Sequence, residues 1–343
     1  MNQSMLFKVD NYLNKVICNQ EIPGACIAIG IRRNNVFKKC YGYQQIIPTK
    51  IEMRIDTIFD LASLTKVVST WPSVMMLIQE KKMSLNDRVG DFFSCKLSEN
   101  VKSITIQDLL THTSGLSEST YLRQYGNDKK NILLKLLKEN TKYPKGTQVA
   151  YSNKGFFILG NIIEVVTGHK LDDYVSKRIW KPLGMNHTFY NPSETDNIAA
   201  TEYIKEKNLV KRGIVHDENA EFIGGVSGHA GVFSNIYDLI LFCEMIVSKD
   251  SKLLQQSIIE ESFKNYTNGL NENRGLAWKL NYDTMYRNYV VEHLGYTGTS
   301  IWIDPVECIY VIFLTNRVHP TRENTTIQNI RKNVKQFIFG NIS

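Results

Sequence analysis

The run Asp60-Leu-Ala-Ser-Leu-Thr-Lys-Val-Val-Ser-Thr70 carries a serine and a lysine three positions apart, where a polar segment passes into an apolar, helix-patterned one. On a helix, positions i and i+3 share a face, which sets the amine of Lys66 beside the hydroxyl of Ser63. A serine alcohol attacks poorly until a neighbouring base takes its proton, and a desolvated or charge-crowded lysine helps do that. A helix start also offers free N–H groups and partial positive charge to an oxyanion. Taken alone, the pair equally describes a capping serine followed one turn on by a solvated lysine. The surrounding chain has to decide.

Working outward from Ser63, residues 4–19 alternate apolar and polar at helical spacing, and Pro23-Gly24 ends that pattern. Ala25–Ile31 and Val36–Tyr43 read as strands joined by the turn Arg33-Asn34-Asn35. Pro72, inside the apolar run after Ser63, predicts a kink or local adjustment. From Ser84 to about Ile223 the pattern is of helices and loops: Thr105 and Asp108 form a capping-box signature, with Gly115 a left-handed stop. Helices are expected over 131–139, 154–167, 171–179 and 236–247. Beyond residue 270, Gly275–Leu280, Tyr289–His293, Ser300–Asp304 and Cys308–Asn316 are β-like, and Arg322–Phe339 is an amphipathic helix. Strands at both ends with helices between them predict an α+β fold. An antiparallel sheet of N- and C-terminal strands, flanked by helices, would carry an inserted, mostly helical domain. We expect the sheet domain over 1–80 and 225–343, the helical insert over 81–224, and the active site in the cleft between them.

Composition excludes several functional classes. The 343 residues carry a formal charge of +7, with lysines spread along the chain and no basic run interleaved with stacking aromatics, so no nucleic-acid partner is expected. No window reaches the roughly 18–20 apolar residues of a membrane span. Residues 1–16 include Lys8, Asp10 and Lys15 and lack the apolar core of a secretory signal. The six cysteines show no C-x-x-C pairing and read as buried thiols of a reducing compartment, which predicts a cytoplasmic location.

Two further elements complete the constellation. Tyr151-Ser152-Asn153 follows the turn Pro144-Lys-Gly146; in an extended segment Tyr151 and Asn153 face the same side, although Ser152 or Asn153 also suits a helix cap. A phenol held near cations serves as a general base, and an amide binds a carbonyl. His293-Leu294-Gly295 ends a strand candidate, and its glycine lets a ligand approach the backbone. The glycine-rich run Gly224-Gly-Val-Ser-Gly-His-Ala-Gly-Val lacks the lysine of a phosphate loop and reads as tight backbone packing.

In this order the three elements resemble the serine β-lactamase and penicillin-binding-protein superfamily, marked by S-x-x-K, an S/Y-x-N element and K/H-T-G. The tyrosine and histidine resemble its class C β-lactamase-like branch, which also holds D,D-peptidases and esterases. The resemblance extends through Leu110-Thr-His-Thr-Ser-Gly-Leu, Val215-His-Asp-Glu-Asn-Ala, Gly225-Val-Ser-Gly-His-Ala-Gly and Tyr296-Thr-Gly-Thr-Ser-Ile-Trp-Ile-Asp-Pro. It implies Ser63 as the acylated nucleophile, Lys66 as its proton partner and Tyr151 as base and then acid. It further implies that Asn153 orients the substrate amide, and that His293 supports Tyr151 or binds a substrate carboxylate. The N–H groups of Ser63 and Tyr296, beside Gly295, would form the oxyanion hole. Leu294 departs from the usual hydroxyl-bearing residue, which puts strong penicillin or cephalosporin hydrolysis in doubt.

The resulting expectation is a serine acyl-transfer hydrolase acting on a small β-lactam, D-alanyl peptide or ester, without cofactor. A slow-turnover penicillin-binding or sensor protein is the alternative. His216, Asp217 and His229 match no helical zinc spacing, so no metal is expected. His112 and His229 read as loop braces, and Tyr121, Tyr125 and Trp278 as cleft walls or ordinary packing.

Overall fold

A seven-stranded antiparallel sheet organises the computed structural model, which describes residues 3–31, 35–119, 121–126, 128–193, 197–248, 251, 253–282 and 289–340. Its strands come from the two ends of the chain. Strands β1 (Gly24–Ile31), β2 (Asn35–Gln45) and β3 (Ile51–Glu52) lead in. Five short strands follow at wide intervals: β4 (Phe59–Asp60), β5 (Phe189–Tyr190), β6 (Tyr203–Ile204), β7 (Leu209–Val210) and β8 (Val232–Ser234). Strands β9 (Lys279–Asn281), β10 (Val290–Leu294), β11 (Ser300–Asp304) and β12 (Ile309–Thr315) close the set. The large sheet runs β3-β2-β1-β12-β11-β10-β9, and a small one runs β4-β8-β5. This is the α+β arrangement the sequence pattern implies.

Strand β1 reads as nearly continuous apolar because it is covered on both faces. Ala25, Ile27 and Ile29 pack under the helices Gln3–Cys18 and Ile327–Phe339 together with Val311, Phe313 and Trp302. Cys26 and Ala28, one residue out of phase, join the main core with Ile312, Leu314 and the helix Ile236–Val247. The period of two along the strand thus divides its side chains between two helix layers. Of the turn expected at Arg33-Asn34-Asn35, the first two residues lie outside the described ones, and Asn35 opens β2 in register with Ile31.

Local signals hold through the middle of the chain. Thr105 caps the helix Ile106–Leu110 by accepting from the Asp108 N–H, and the Asp108 carboxylate accepts from the Thr105 N–H, closing the box. The first left-handed residue after that helix is His112 (φ +59°), ahead of Gly115 (φ +76°). The helix Asn153–Thr167 runs through the core and stops at Gly168, which is left-handed.

Elsewhere tertiary contacts override the pattern. Of the 275–280 run only Lys279 and Leu280 pair as a strand, together with Asn281; Gly275–Trp278 form a turn closed by the Gly275 N–H on the Trp278 carbonyl, and the Ala277 N–H reaches the Leu110 carbonyl. The last helix begins at Ile327 rather than Arg322, because the Arg322 side chain is drawn to Glu202 and Arg317 bonds the carbonyls of Arg322 and Asn324. Pro72 produces no break. It enters the first turn of the helix Trp71–Gln79 behind a π-helical turn, Lys66–Thr70. The Val68 carbonyl, which a residue at 72 with an N–H would occupy in an α-helix, accepts instead from the Trp180 indole (3.1 Å).

The outer helix Gln3–Cys18 covers the sheet through Met5, Val9, Leu13 and Val16. Leu13 is fully buried there, so Leu13→Ala removes a packed side chain whose neighbours sit on a rigid sheet. We expect a loss of about 2–5 kcal/mol in urea unfolding, with the slope of the transition unchanged.

Candidate active site

Ser63 sits in a 3-10 turn, Ala62–Leu64, between β4 and the π-helical turn. The turn is entered through Ala62 at φ +47°, a left-handed conformation that costs a residue bearing a Cβ. Asp60 compensates by accepting the Ala62 N–H at 2.8 Å, while its other oxygen accepts from the His216 N–H at 2.6 Å. Burial pushes the Asp60 carboxyl up to about 6, against these two hydrogen bonds.

Lys66 is fully buried and its Nζ touches three oxygens: Ser63 Oγ at 3.1 Å, Asn153 Oδ1 at 2.8 Å and the His229 carbonyl at 3.1 Å. The Tyr151 ring lies 4.9 Å from the same nitrogen. The structure therefore brings Ser63, Lys66, Tyr151 and Asn153 together from two distant stretches of chain. Asn153 is the first residue of its helix, so its side chain points back over the helix start toward Lys66.

The Tyr151 ring is fixed by its neighbours. His112 stacks on it at 4.4 Å, the Arg274 guanidinium lies 5.6 Å from its centre, and His293 lies 6.3 Å away. His112 Nδ1 accepts the Ser152 N–H at 3.1 Å, which assigns the ring proton to Nε2. Burial, then the cations Arg274 and Lys66, holds the His112 imidazole well below its ordinary value. His293 is likewise depressed by burial, Lys66 and Arg274, and neither of its ring nitrogens has a partner among the described residues. It lines a cavity of about 150 Å³ with Tyr151, Arg274, Lys279, Glu272, Glu292 and Leu294. Arg274 and Lys279 both pair with Glu272 there, at 2.6 and 2.8 Å.

Leu294 belongs to the other face of the sheet. Its side chain packs with the outer layer that holds Val290, and between them Glu292 pairs with Lys335 at 2.7 Å. Strand alternation turns His293 and Leu294 to opposite sides, yet Leu294 also borders the cavity that His293 lines, so an apolar group stands at its rim. Gly295 follows where only glycine fits: a Cβ there would meet Thr299 Oγ1 at 2.0 Å and the Leu61 carbonyl at 2.6 Å.

The turn after β10 is stitched to the segment before Ser63. Thr297 Oγ1 donates to the Asp60 carbonyl (2.7 Å) and Thr299 Oγ1 to the Leu61 carbonyl (2.9 Å). Ser63 and Tyr296 line one cavity of about 260 Å³ with His216, Asp217, Glu218 and Arg322. Among the backbone hydrogen bonds that the described residues make outside helices and strands, the Tyr296 N–H donates to none.

His216, Asp217 and His229 do not converge on a metal. His216 Nε2 meets Glu202, His229 Nε2 meets Asp217 at 3.1 Å, and His229 Nδ1 meets Ser227 Oγ at 2.7 Å. Despite burial, the adjoining His229 holds the Asp217 carboxyl well below the carboxylate range. Among the described residues no group of three such side chains is placed to hold a metal ion. His229 instead anchors the glycine-rich loop whose carbonyl receives Lys66. Trp278 is buried against Trp71 and Phe263, Tyr125 bonds Lys154, and Tyr121 is exposed. Sequence reasoning missed Asp60, Arg274 and Glu272, whose partners lie far along the chain.

The beta-lactamase family model matches residues 9–334. The putative D-alanyl-D-alanine carboxypeptidase of Escherichia coli strain K12 is 29% identical over 99% of this chain and 88% of that protein. The N-acetylmuramyl-L-alanine amidase of Bacillus subtilis strain 168 is 29% identical over 92% of this chain and 81% of that protein. Among solved structures, EstCE1, a hydrolase with promiscuous acyltransferase activity, superposes with a TM-score of 0.80 at 20% identity, covering 98% of this chain and 99% of that one. No helix of the described residues is long and apolar enough to cross a membrane.

The buried histidines set a pH dependence. A histidine whose folded value is depressed binds its proton only when unfolded, so stability rises with pH through that window and falls below about 6.5. Asp60, raised, acts in the opposite sense below about 6. Replacing one depressed group, His293→Gln, is expected to flatten the acid decline in thermal stability between pH 6.5 and 5. The difference is at most about 1.4 kcal/mol per pH unit. A slope identical to wild type would refute the assignment of a neutral His293.

Proposed function

The chain belongs to the beta-lactamase family, whose pattern spans nearly its whole length, and from that premise we propose that this hydrolase works through a covalent acyl-enzyme on Ser63. The observation that carries the reading is the contact of Lys66 Nζ with Ser63 Oγ at 3.1 Å beside the Tyr151 ring. In the proposed cycle the Ser63 proton passes into the Lys66–Tyr151 pair as Oγ bonds the substrate carbonyl carbon. The same proton goes to the departing amine or alcohol when the tetrahedral intermediate collapses. Water then attacks the ester with the pair again taking its proton, and Ser63 is regenerated. The Ser63 and Tyr296 N–H groups are the proposed donors to the oxyanion in both halves. With Oδ1 given to Lys66, Asn153 keeps Nδ2 to bond a substrate carbonyl.

The wall formed by His293 bears on the substrate. A neutral imidazole offers a hydrogen bond but no charge, while Arg274 and Lys279 share the single carboxylate of Glu272. One carboxylate between two cations leaves a positive charge in excess beside that hydrogen-bonding wall, which supports an ester or amide substrate, including one that ends in a carboxylate. The relatives' names, a D-alanyl-D-alanine carboxypeptidase and an N-acetylmuramyl-L-alanine amidase, both denote amide bonds of cell-wall peptides. Such peptides, beside simple esters, are the substrate class we propose.

The test is intact-protein mass spectrometry with p-nitrophenyl butyrate, penicillin and muropeptides, alongside steady-state rates. Ser63→Ala is expected to lose both adduct and at least about a thousandfold in rate, and Lys66→Met and Tyr151→Phe about a hundredfold to ten-thousandfold. A penicillin adduct that persists for hours without turnover of any substrate would move the reading to a penicillin-binding protein. Ester hydrolysis surviving in Ser63→Ala would end the nucleophile assignment.

A further inference from the structure

Six lysine and arginine side chains among the described residues are buried: Lys66, Lys154, Lys211, Arg274, Arg317 and Arg331. Three are neutralised by a glutamate, Lys154 by Glu139, Lys211 by Glu221 and Arg274 by Glu272. Arg331, on the inner face of the last helix, bonds no carboxylate. Its guanidinium donates to Ser300 Oγ at 2.8 Å and to the carbonyls of Gly295 at 2.7 Å and Thr299 at 2.8 Å. Burial lowers the group to about 10, which leaves it cationic at neutral pH. Removing a charge from water without an opposite charge is expensive. Two of its acceptors lie in the β10–β11 turn and the third, Ser300, is the first residue of β11.

Gly295 supplies the carbonyl half of the peptide unit whose other half is the Tyr296 N–H. In a planar trans peptide the C=O and the next N–H point in opposite directions, so a donor gripping the Gly295 oxygen fixes where the Tyr296 hydrogen points. A cation on the oxygen also draws electron density across the amide and strengthens its N–H as a donor. The Gly298 N–H holds the same oxygen at 3.1 Å, and Arg317 Nε holds the next carbonyl, that of Tyr296, at 2.9 Å. We propose that Arg331 is a positioning residue of the reaction, orienting and polarising the Gly295–Tyr296 peptide so that its N–H stabilises the oxyanion formed on a Ser63-bound substrate. The role rests on the acyl-enzyme reading given above.

It is tested with Arg331→Gln and Arg331→Lys in the full chain, using p-nitrophenyl butyrate rates, phenylboronic acid affinity and the infrared carbonyl stretch of a ¹³C-labelled acyl-enzyme. Loss of a whole oxyanion donor costs about a hundredfold to a thousandfold; loosening one is expected to slow acylation about tenfold to a hundredfold in Arg331→Gln. KM should stay within about threefold, phenylboronic acid should weaken in step with the rate, and the carbonyl band should move to higher frequency. Arg331→Lys keeps the charge but cannot reach all three acceptors, and should fall between wild type and Gln. A folded Arg331→Gln with wild-type acylation and an unmoved band overturns the proposal. Should Gln not fold, Lys decides on the same two readouts: slowed acylation with a raised band supports the role, and wild-type values overturn it. Hydrolysis that survives Ser63→Ala defeats the nucleophile reading itself and any oxyanion role with it, whereas Ser63-dependent hydrolysis indifferent to Arg331 defeats this proposal alone.

Discussion

The lysine nitrogen at position 66 is the point on which the site depends. It is shut off from solvent and its three contacts are a hydroxyl, a side-chain amide and a backbone carbonyl. An ammonium has three donors, and here each meets one oxygen. These oxygens come from Ser63 one turn before, Asn153 at the head of the central helix, and His229 in the glycine-rich loop. Loss of any one would leave a buried donor unmet, at about 1–3 kcal/mol or more for a charged group. The three segments are thereby held to one another by the requirement of a single side chain.

That requirement explains features that look unrelated to chemistry. The glycine-rich loop must come close to the central helix, and Gly228 meets Gly160 there: a Cβ on Gly228 would fall 2.2 Å from the Phe156 carbonyl. The loop is fixed in place by the Ser227–His229–Asp217 hydrogen-bond chain and by Thr70 Oγ1 on the Gly228 carbonyl at 2.7 Å. Asp217 in turn caps the short helix Glu218–Phe222. On the other side of Ser63, Asp60 ties the left-handed Ala62 to His216, and Thr297 and Thr299 tie the β10–β11 turn to residues 60 and 61. The Ser63 turn is strained at one residue, and one local and three long-range hydrogen bonds offset that strain.

How much of this could be read from sequence follows from the range of the forces involved. The sheet's composition was legible, because β1 and β12 are uninterrupted apolar runs and the outer helices have clear amphipathic spacing. The capping box at Thr105 and the stop at Gly168 were legible because they involve neighbours. The nearness of Ser63, Lys66, Tyr151 and Asn153 followed from family resemblance; no local rule joins positions 66 and 153. For Leu294 a local rule reaches part of the answer. Period two within β10 already separates it from His293, and its exposure to the outer helices follows from the same rule that places Val290 and Glu292. The π-helical turn at Lys66 was legible only as the local adjustment expected at Pro72; that the freed Val68 carbonyl finds the Trp180 indole, 112 residues away, no local rule supplies. Arg331 was hidden: on the helix it reads as one more basic residue, and only the fold turns it inward.

The distribution of buried charge gives these contacts a direction. Where a buried cation has a glutamate beside it, as at Lys154, Lys211 and Arg274, its field is largely cancelled within a few ångströms. The three buried cations that bond only neutral oxygens, Lys66, Arg317 and Arg331, all hold groups within or next to the Ser63 cleft. A fold selected for stability alone gains little from such sites, since an apolar residue of like volume packs there without the desolvation cost. In a low-dielectric pocket, however, fixed cations held by neutral oxygens favour negative charge developing on a nearby oxygen, and a fixed arrangement needs no rearrangement as that charge appears. The buried cations that bond neutral oxygens are thus gathered around one serine, where the carboxylates of Asp217 and Glu218 line the same cleft and moderate their field.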